Sequence, residues 1–566
     1  MNIWFISGAF AVSVGWLLPV HYLPWSAFHS NAWVAGLLLL FVAISFGALS
    51  GRQPFHMLPL LAGALSLTPL LQLAAGQIML AGTAWITSLH LIGIMLAMLI
   101  GAHWQLCRGA VLADALFLAF GVAATLSVGT QLCQWTGANE GLFCSADWIV
   151  PRSGDRIGGN VAQPNQLATL LLLGVVAYAW AWLRCLLRGW IAVFAMCFLL
   201  FGIGLTGSRT ALMSAAVMLL CIWYWRDSWP SKAAPHVATV LFFTLALLFA
   251  TQQVFADFFL LDYESTLQTR SKNESRPAIW AMFFNAALER PWLGYGWNQS
   301  ALAQLMTATA GATTPIAPTV AVSYAHNLFL DLVLWLGIPL GLATSFALMN
   351  WLFRAAVKVK GNQEALLLLG VLAMGVHAML ELPLYYAYFL LPLGLMVGMI
   401  DVRLGSNFVL ATGRRSVVCL WLVCSALFVA TVTDYFVIER SYSALRLNAA
   451  RIQHTSDYET PNVLVLTQLR DLIAVARLEP SPNMSQNQIK WLSGVAMVYP
   501  AEHNLLKLAT ALALNGQTPQ ATFWLEKLCH MYGKERRDKS RDEWQRLQNQ
   551  FPQLAGVLWP KTHDSQ

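Results

Sequence analysis

Long apolar runs separated by short polar connections make up most of this chain. Runs of the length a helix needs to cross a hydrocarbon core recur near residues 3–20, 32–49, 57–75, 80–101, 109–128, 166–183, 189–206, 210–225, 237–253, 327–350, 364–381, 385–401 and 416–436. They predict an all-α, polytopic membrane protein with about 12–13 transmembrane helices. The polar remainder falls in two places, a long connection and a charged tail. The expected organisation is helices 1–9 in residues 1–253, an external loop with an amphipathic helix in 254–325, helices 10–13 in 326–437, and a helical domain in 438–566. The first run has no basic segment before it and no clear small-residue cleavage site after it, which reads as a retained first helix.

Charge gives the runs an orientation. Taking connections alternately, one set carries twelve Lys and Arg between Arg52 and Arg415, whereas the short connections of the other carry Arg152, Arg156 and Arg209. Basic residues stay on the cytoplasmic side, so the N-terminus is expected there, with the loop 254–325 and the tail outside the cytoplasm. This topological bias accounts for most of the net charge of +7 and gives no reason to expect nucleic-acid binding. Of nine cysteines, most sit in or beside spans as small apolar residues. Cys133 and Cys144 share the external connection 129–165, where a disulfide can form in an oxidising compartment. No Cys or His spacing matches a metal site.

In the tail, residues 501–533 read as a helical hairpin. Leu505, Leu508, Ala509, Leu512 and Ala513 recur at helical spacing, Gly516 breaks the pattern, and Thr518-Pro519 supplies a cap followed by Pro at the first helical position. Both a tetratricopeptide-type unit and a generic helical bundle fit this one copy. In the external loop, Arg276, Trp280, Phe283, Phe284 and Leu288 predict an interfacial helix.

The topology gathers polar residues on one side of the membrane. His326 and Asn327 head the tenth run; Arg152, Arg156, Asn160, Gln163 and Asn165 precede the sixth; Arg209 lies between the seventh and eighth; Arg270 and Arg276 are in the loop; His377, Glu381, Tyr385, Tyr386 and Tyr388 surround the turn after the eleventh. Polar groups at membrane depth cost free energy unless paired, so such a group is functional by default. Arginines hold phosphate oxygens, a histidine moves a proton or orients a nucleophile, and amides and phenols bind sugar hydroxyls. That set suits a lipid-diphosphate donor and needs neither metal nor cofactor, because guanidinium groups can stabilise a departing diphosphate.

The segments RIGGNVAQPNQLATLLLL (156–173), GLTGSRTALMSA (204–215), RPAIWAMFFNAALERPWLGYGWN (276–298), YAHNLFLDLVLWLGIPLGL (324–342) and HAMLELPLYYAYFLLPLGLMVG (377–398) together resemble bacterial protein O-oligosaccharyltransferases of the PglL (pilin-glycosylation) type. These belong to the superfamily of O-antigen ligases and Wzy-type polymerases. The resemblance implies a metal-independent glycosyltransferase of the bacterial inner membrane with its active site on the periplasmic face. It would move an oligosaccharide en bloc from an undecaprenyl-diphosphate carrier to Ser or Thr of exported proteins such as pilin. It implies catalytic roles for His326, Arg276 and Arg209, and substrate binding by Gln163 and one tyrosine among Tyr385, Tyr386 and Tyr388, with Tyr386 opening the Tyr-Ala-Tyr-Phe string. Asn160, Glu381, Arg270 and Asn327 join the expected substrate-binding set. Gln166 stands where many relatives have His, so no second histidine is expected there. An O-antigen ligase with a lipid A core acceptor, a Wzy-type polymerase and a lipid-linked glycan transporter are the alternatives. A transporter would place its charged groups near the midplane in repeated halves, a pattern absent from this sequence.

Overall fold

The computed structural model describes residues 3–45, 51–54, 57–137, 140–141, 144–145, 148–151, 156–251, 276–308, 320–404, 409–412, 414–452 and 460–560. In chain order the elements are α1 (Ile3–Leu17), α2 (Phe28–Ile44), β1 (Gly51–Pro54), α3 (Met57–Ala74), α4 (Ala81–Arg108), α5 (Val111–Thr136), β2 (Glu140–Gly141), β3 (Cys144–Ser145), α6 (Pro164–Leu183), α7 (Gly189–Thr206), α8 (Arg209–Tyr224) and α9 (Ala234–Ala250). There follow α10 (Arg276–Glu289), α11 (Ser300–Thr307), α12 (Leu328–Leu336), α13 (Ile338–Val357), α14 (Asn362–Ala378), α15 (Ala387–Leu404), β4 (Val409–Thr412), α16 (Arg414–Ala449), α17 (Thr467–Arg477), α18 (Gln486–Val498), α19 (Glu502–Leu514), α20 (Thr518–Met531) and α21 (Lys534–Gln550).

The expected class holds: this is a helical, polytopic membrane protein. Among the described residues seven helices, α3 to α7, α13 and α16, are long and apolar enough to cross a membrane, and five further apolar helices are shorter. Strands are confined, among these residues, to two short antiparallel pairs, β1 with β4 and β2 with β3. One expected span is not a single helix. The run 327–350 breaks into the nine-residue α12 and the twenty-residue α13 at Gly337, whose φ of +82° interrupts the helix. At about 1.5 Å per residue α12 is far too short to cross a bilayer, and the crossing helix starts at Ile338.

The chain divides into two compact units, the first made of residues 1–64, 90–273 and 347–428. Its centre is α6, on which every residue from Leu167 to Leu173 is at most 2% exposed, as expected of a helix apolar all round and surrounded by others. Neighbours α5, α7 and α14 pack on it. Without a hydrophobic driving force between helices in lipid, close backbone approach holds such bundles together. Gly394 and Gly398 provide it between α15 and α4: a Cβ at Gly398 would collide with the Met98 carbonyl oxygen. Asp114 ties α5 to α6 by accepting from Trp180 Nε1 (2.8 Å) and from Arg184 Nε and Nη2 (3.0 and 2.9 Å). Cys133 is disulfide-bonded; the side chain of Cys144 lies outside the described residues, as do Arg152 and Arg270.

The second unit comprises residues 65–89, 274–346 and 429–566. One core joins Leu80 and Leu305 to Val475, Ile489, Leu492, Leu505, Leu525 and Trp544, so the tail helices share their interior with segments far upstream. The expected hairpin is α19 and α20, with Gly516 at φ +75° between them. Its cap shifts by one: Gln517 is the N-cap, Thr518 opens the helix, and Pro519 follows within the first turn. Asp434 of α16 accepts from the backbone N–H groups of Leu464, Val465 and Leu466 (3.0, 2.6 and 3.0 Å to Oδ2), which anchors the bend that leads into α17. Lys507 donates to the Val475 and Ala476 carbonyls (2.8 and 2.6 Å), placing a cation at the C-terminal end of α17.

Candidate functional site

In the first unit, the start of α6 is built from its own sequence. Gln163 is the N-cap, with Oε1 accepting from the Gln166 N–H at 2.6 Å, and Pro164 occupies the first helical position, where a missing N–H costs nothing. Because Oε1 is taken as acceptor, Nε2 must point away, and it donates to Glu381 Oε2 at 2.8 Å. Asn165 is fixed the same way. Its Oδ1 accepts from Arg156 Nη2 (2.7 Å), which turns Nδ2 onto Glu381 Oε1 in a short bond. Glu381 therefore accepts two side-chain N–H groups, one on each oxygen.

The network runs on in two directions. His377, fully buried on α14, sets Nε2 3.3 Å from Glu381 Oε2 and Nδ1 2.7 Å from Thr169 Oγ1. Arg156 also donates from Nε to the Thr206 carbonyl at 2.9 Å, at the last residue of α7. Gly207, at φ +57°, and Ser208, capping Ala211 N, then turn the chain so that Arg209 opens α8 with its side chain exposed. Gln163, Asn165, Glu381, His377 and Arg156 are thus one connected cluster, with Arg209 three residues beyond its edge.

The three tyrosines separate. Tyr388 is buried and donates to Gln166 Oε1 at 2.9 Å, so Gln166, at the position where a histidine was not expected, is a partner of the tyrosine string. Tyr386 is half-buried with its ring 5.3 Å from that of Tyr388, and Tyr385 is 45% exposed and stacks on His90 at 6.4 Å. Asn160 is buried and its amide serves the backbone: Nδ2 donates to Leu17 and Trp148 carbonyls (2.9 and 2.8 Å) and Oδ1 accepts from Val150 N at 3.2 Å. It fastens the approach to α6.

In the second unit, Arg276 is the first residue of α10 and is half-buried. The segment after α10 closes the end of α12: Tyr295 N donates to Leu334 O (2.7 Å), Gly296 N to Trp335 O (3.2 Å), and Ile338 N to Pro291 O (2.6 Å). Gly294, at φ +65°, lies so close that a Cβ would meet the Leu334 oxygen and, at 2.6 Å, the Gly337 nitrogen. At the other end of α12, Asn327 is the N-cap, its Oδ1 accepting from Phe329 and Leu330 N–H at 3.1 and 3.2 Å. His326, immediately before it, is half-buried at φ +55°, with its ring 4.6 Å from that of Tyr324.

Behind this histidine is a residue that reading the sequence missed. Asp331, fully buried in the first turn of α12, accepts on Oδ1 from Ala325 N (2.8 Å) and Ser300 Oγ (3.3 Å). Burial pushes its carboxyl up to about 7, against the pull of those two bonds. The signal was one acid in the apolar string LFLDLVLW, four residues past a cap.

The first unit thus holds a connected polar cluster, and in the second a histidine heads a short helix. Comparisons with known proteins give these features a context. Residues 191–345, which hold Arg209, Arg276 and His326, match a family model described as O-antigen ligase; residues 157–182, which hold Gln163, match protein glycosylation ligase; and residues 365–547, which hold Glu381 and Tyr386, match the C-terminal part of a virulence factor membrane-bound polymerase. The chain is 26% identical over 550 residues to a general O-oligosaccharyltransferase of Acinetobacter baylyi, an alignment covering 93% of this chain and 92% of that one. It is 32% identical over 258 residues to a ComP-specific O-oligosaccharyltransferase of the same organism, covering 44% of each. The resemblance to protein O-oligosaccharyltransferases of the O-antigen ligase superfamily, drawn from the motifs, is borne out along nearly the whole chain.

Proposed function

We propose that this protein carries out O-linked protein glycosylation, moving a preassembled oligosaccharide en bloc from an undecaprenyl-diphosphate carrier to Ser or Thr of exported proteins such as pilin. The observation that carries the reading is the nearly full-length similarity to a general O-oligosaccharyltransferase, with each motif overlapping a matching family segment. The reaction takes place on the periplasmic face of the inner membrane, as the distribution of Lys and Arg supports. Arg209 and Arg276, with Arg270, bind the diphosphate and stabilise the charge that develops on it as it leaves, without a metal. His326 takes the proton of the acceptor hydroxyl or orients it, a task suited to an imidazole. Gln163, Glu381 and Tyr386 meet the sugar, with Asn160 holding the segment that leads to Gln163 and Asn327 the one that carries His326.

The test is an in vitro reaction with the purified protein, an undecaprenyl-diphosphate oligosaccharide, and pilin and a lipid A core acceptor in parallel, with EDTA present. Glycosylated pilin is expected. Product on the lipid core alone would move the protein to the ligase reading, which the O-antigen ligase match of residues 191–345 favours. Lipid-linked glycan crossing liposomes with transfer to neither acceptor would make it a transporter.

A further inference from the structure

We propose that the C-terminal helices are part of the catalytic scaffold: through α11 they hold the loop that carries His326, with Lys527 and Asp331 as the two fastenings. This rests on the reading of His326 as the residue that serves the acceptor. The helix α11 has eight residues, and its first six, Ser300 to Leu305, are buried, so it is an internal strut. Its C-terminal end is held by the tail. Lys527 of α20 donates from Nζ to the Met306 and Ala308 carbonyls at 2.7 and 2.8 Å, acceptors that the helix end would otherwise leave open. Leu305 lies in the same core as Val475, Ile489, Leu505 and Leu525, and α11 packs on α18 and α20. Burial holds the Lys527 amine below the ordinary lysine value, with Glu289 pulling the other way.

The other side of the strut grips the histidine loop. Gln304 spans two residues of it, donating to Val320 O at 3.0 Å and accepting from Val322 N at 2.7 Å. Ser300 accepts from Trp335 Nε1 at 3.0 Å and donates to Asp331, and Asp331 holds Ala325 N. Ala325 is fully buried, and the next residue is His326 in the left-handed region. A non-glycine residue is strained there, and surrounding contacts must offset the strain. Those contacts include Asn327 on one side and the Asp331–Ser300–Gln304 set on the other, of which Ser300 and Gln304 stand on α11. A tail that shares α11 with the catalytic loop does more than capture acceptors.

The experiment measures kcat and acceptor KM in the full-length protein for Lys527→Met, Lys527→Arg, Asp331→Leu and Asp331→Asn, using both pilin and a short Ser-containing peptide too small to span the tail. Displacing a catalytic group by about 1 Å can cost on the order of 100-fold, so Lys527→Met and Asp331→Leu are expected to lower kcat by roughly 10- to 100-fold for both acceptors while KM stays within about twofold. Lys527→Arg, which still donates to two carbonyls, and Asp331→Asn, which keeps the acceptor oxygen, are expected to restore most of kcat. An unchanged kcat in Lys527→Met, a raised KM for pilin alone, or an arginine variant as impaired as the methionine variant would overturn the proposal. Should Lys527→Met not purify as folded protein, Gln304→Met tests the same strut from its other face with the same expected loss of kcat. His326→Ala separates the two readings: full activity in that variant would refute the role of His326 itself, whatever Lys527 does.

Discussion

The most exacting prediction concerns Glu381→Gln, a change of one oxygen for one NH2. The two amide partners of this carboxylate have fixed orientations, since Gln163 Oε1 receives Gln166 N and Asn165 Oδ1 receives Arg156 Nη2. Each therefore presents an N–H to Glu381, on separate oxygens. A glutamine keeps one acceptor and turns a donor against the other partner. Losing a hydrogen bond to a charged acceptor costs about 1.5–3 kcal/mol, and a buried donor left unsatisfied costs about 1–3 kcal/mol more, so the variant should be destabilised by roughly 2.5–6 kcal/mol. Thermal unfolding in detergent, followed by tryptophan fluorescence beside transfer rates, is the assay. The expected result is a clearly lowered midpoint and a loss of transfer that Gln163→Ala does not deepen additively, because the two residues act through one bond. Wild-type stability and activity in Glu381→Gln would refute the idea that a carboxylate orders the start of α6.

Three further outcomes follow from the geometry. Gly294→Ala places a methyl group against the Leu334 oxygen in a left-handed backbone, so protein yield or transfer should fall by at least tenfold, whereas alanine at Gly494, where nothing lies within 4 Å, should leave both unchanged. Asp331 ionises near 4 in the unfolded chain but holds its proton to about 7 when folded, so unfolding releases a proton between those values and stability falls as pH rises through that window, by on the order of 4 kcal/mol above it. Asp331→Asn should lack this fall, and unfolding midpoints that stay parallel to wild type from pH 4 to 8 would contradict it. Tyr388→Phe removes only the bond to Gln166, for a cost of about 1 kcal/mol, and should leave a measurable transfer rate.

Much of this molecule was legible in its sequence, for identifiable physical reasons. Hydropathy located the spans because backbone groups in lipid must be satisfied within a helix, and Gly516 with Pro519 marked the α19–α20 turn because few residues adopt those backbone angles. The run 327–350 was misread because its break at Gly337 depends on the Pro291 carbonyl, which accepts from Ile338 N, and on the Tyr295 N–H, which donates to Leu334 O; both lie about forty residues upstream, which hydropathy cannot register. The polar residues near Gln163 and Glu381 were named from their side of the membrane, but that Glu381 is the hub and Asn160 a fastener to Leu17 depends on pairings more than a hundred residues apart. Asp331 stayed hidden because its partners, Ser300 and Ala325, belong to a different helix and a loop. Small residues are frequent in these spans, so the approach of Gly398 to Met98 also required the fold.

The measurement that bears most directly on the central claim is the intact mass of a pilin acceptor after incubation with the purified protein and an undecaprenyl-diphosphate oligosaccharide of known mass. En bloc transfer predicts a single increment equal to the whole glycan, mapped to Ser or Thr, present in EDTA and absent with His326→Ala. Stepwise sugar increments, an unmodified acceptor, or the same increment from the alanine variant would contradict it.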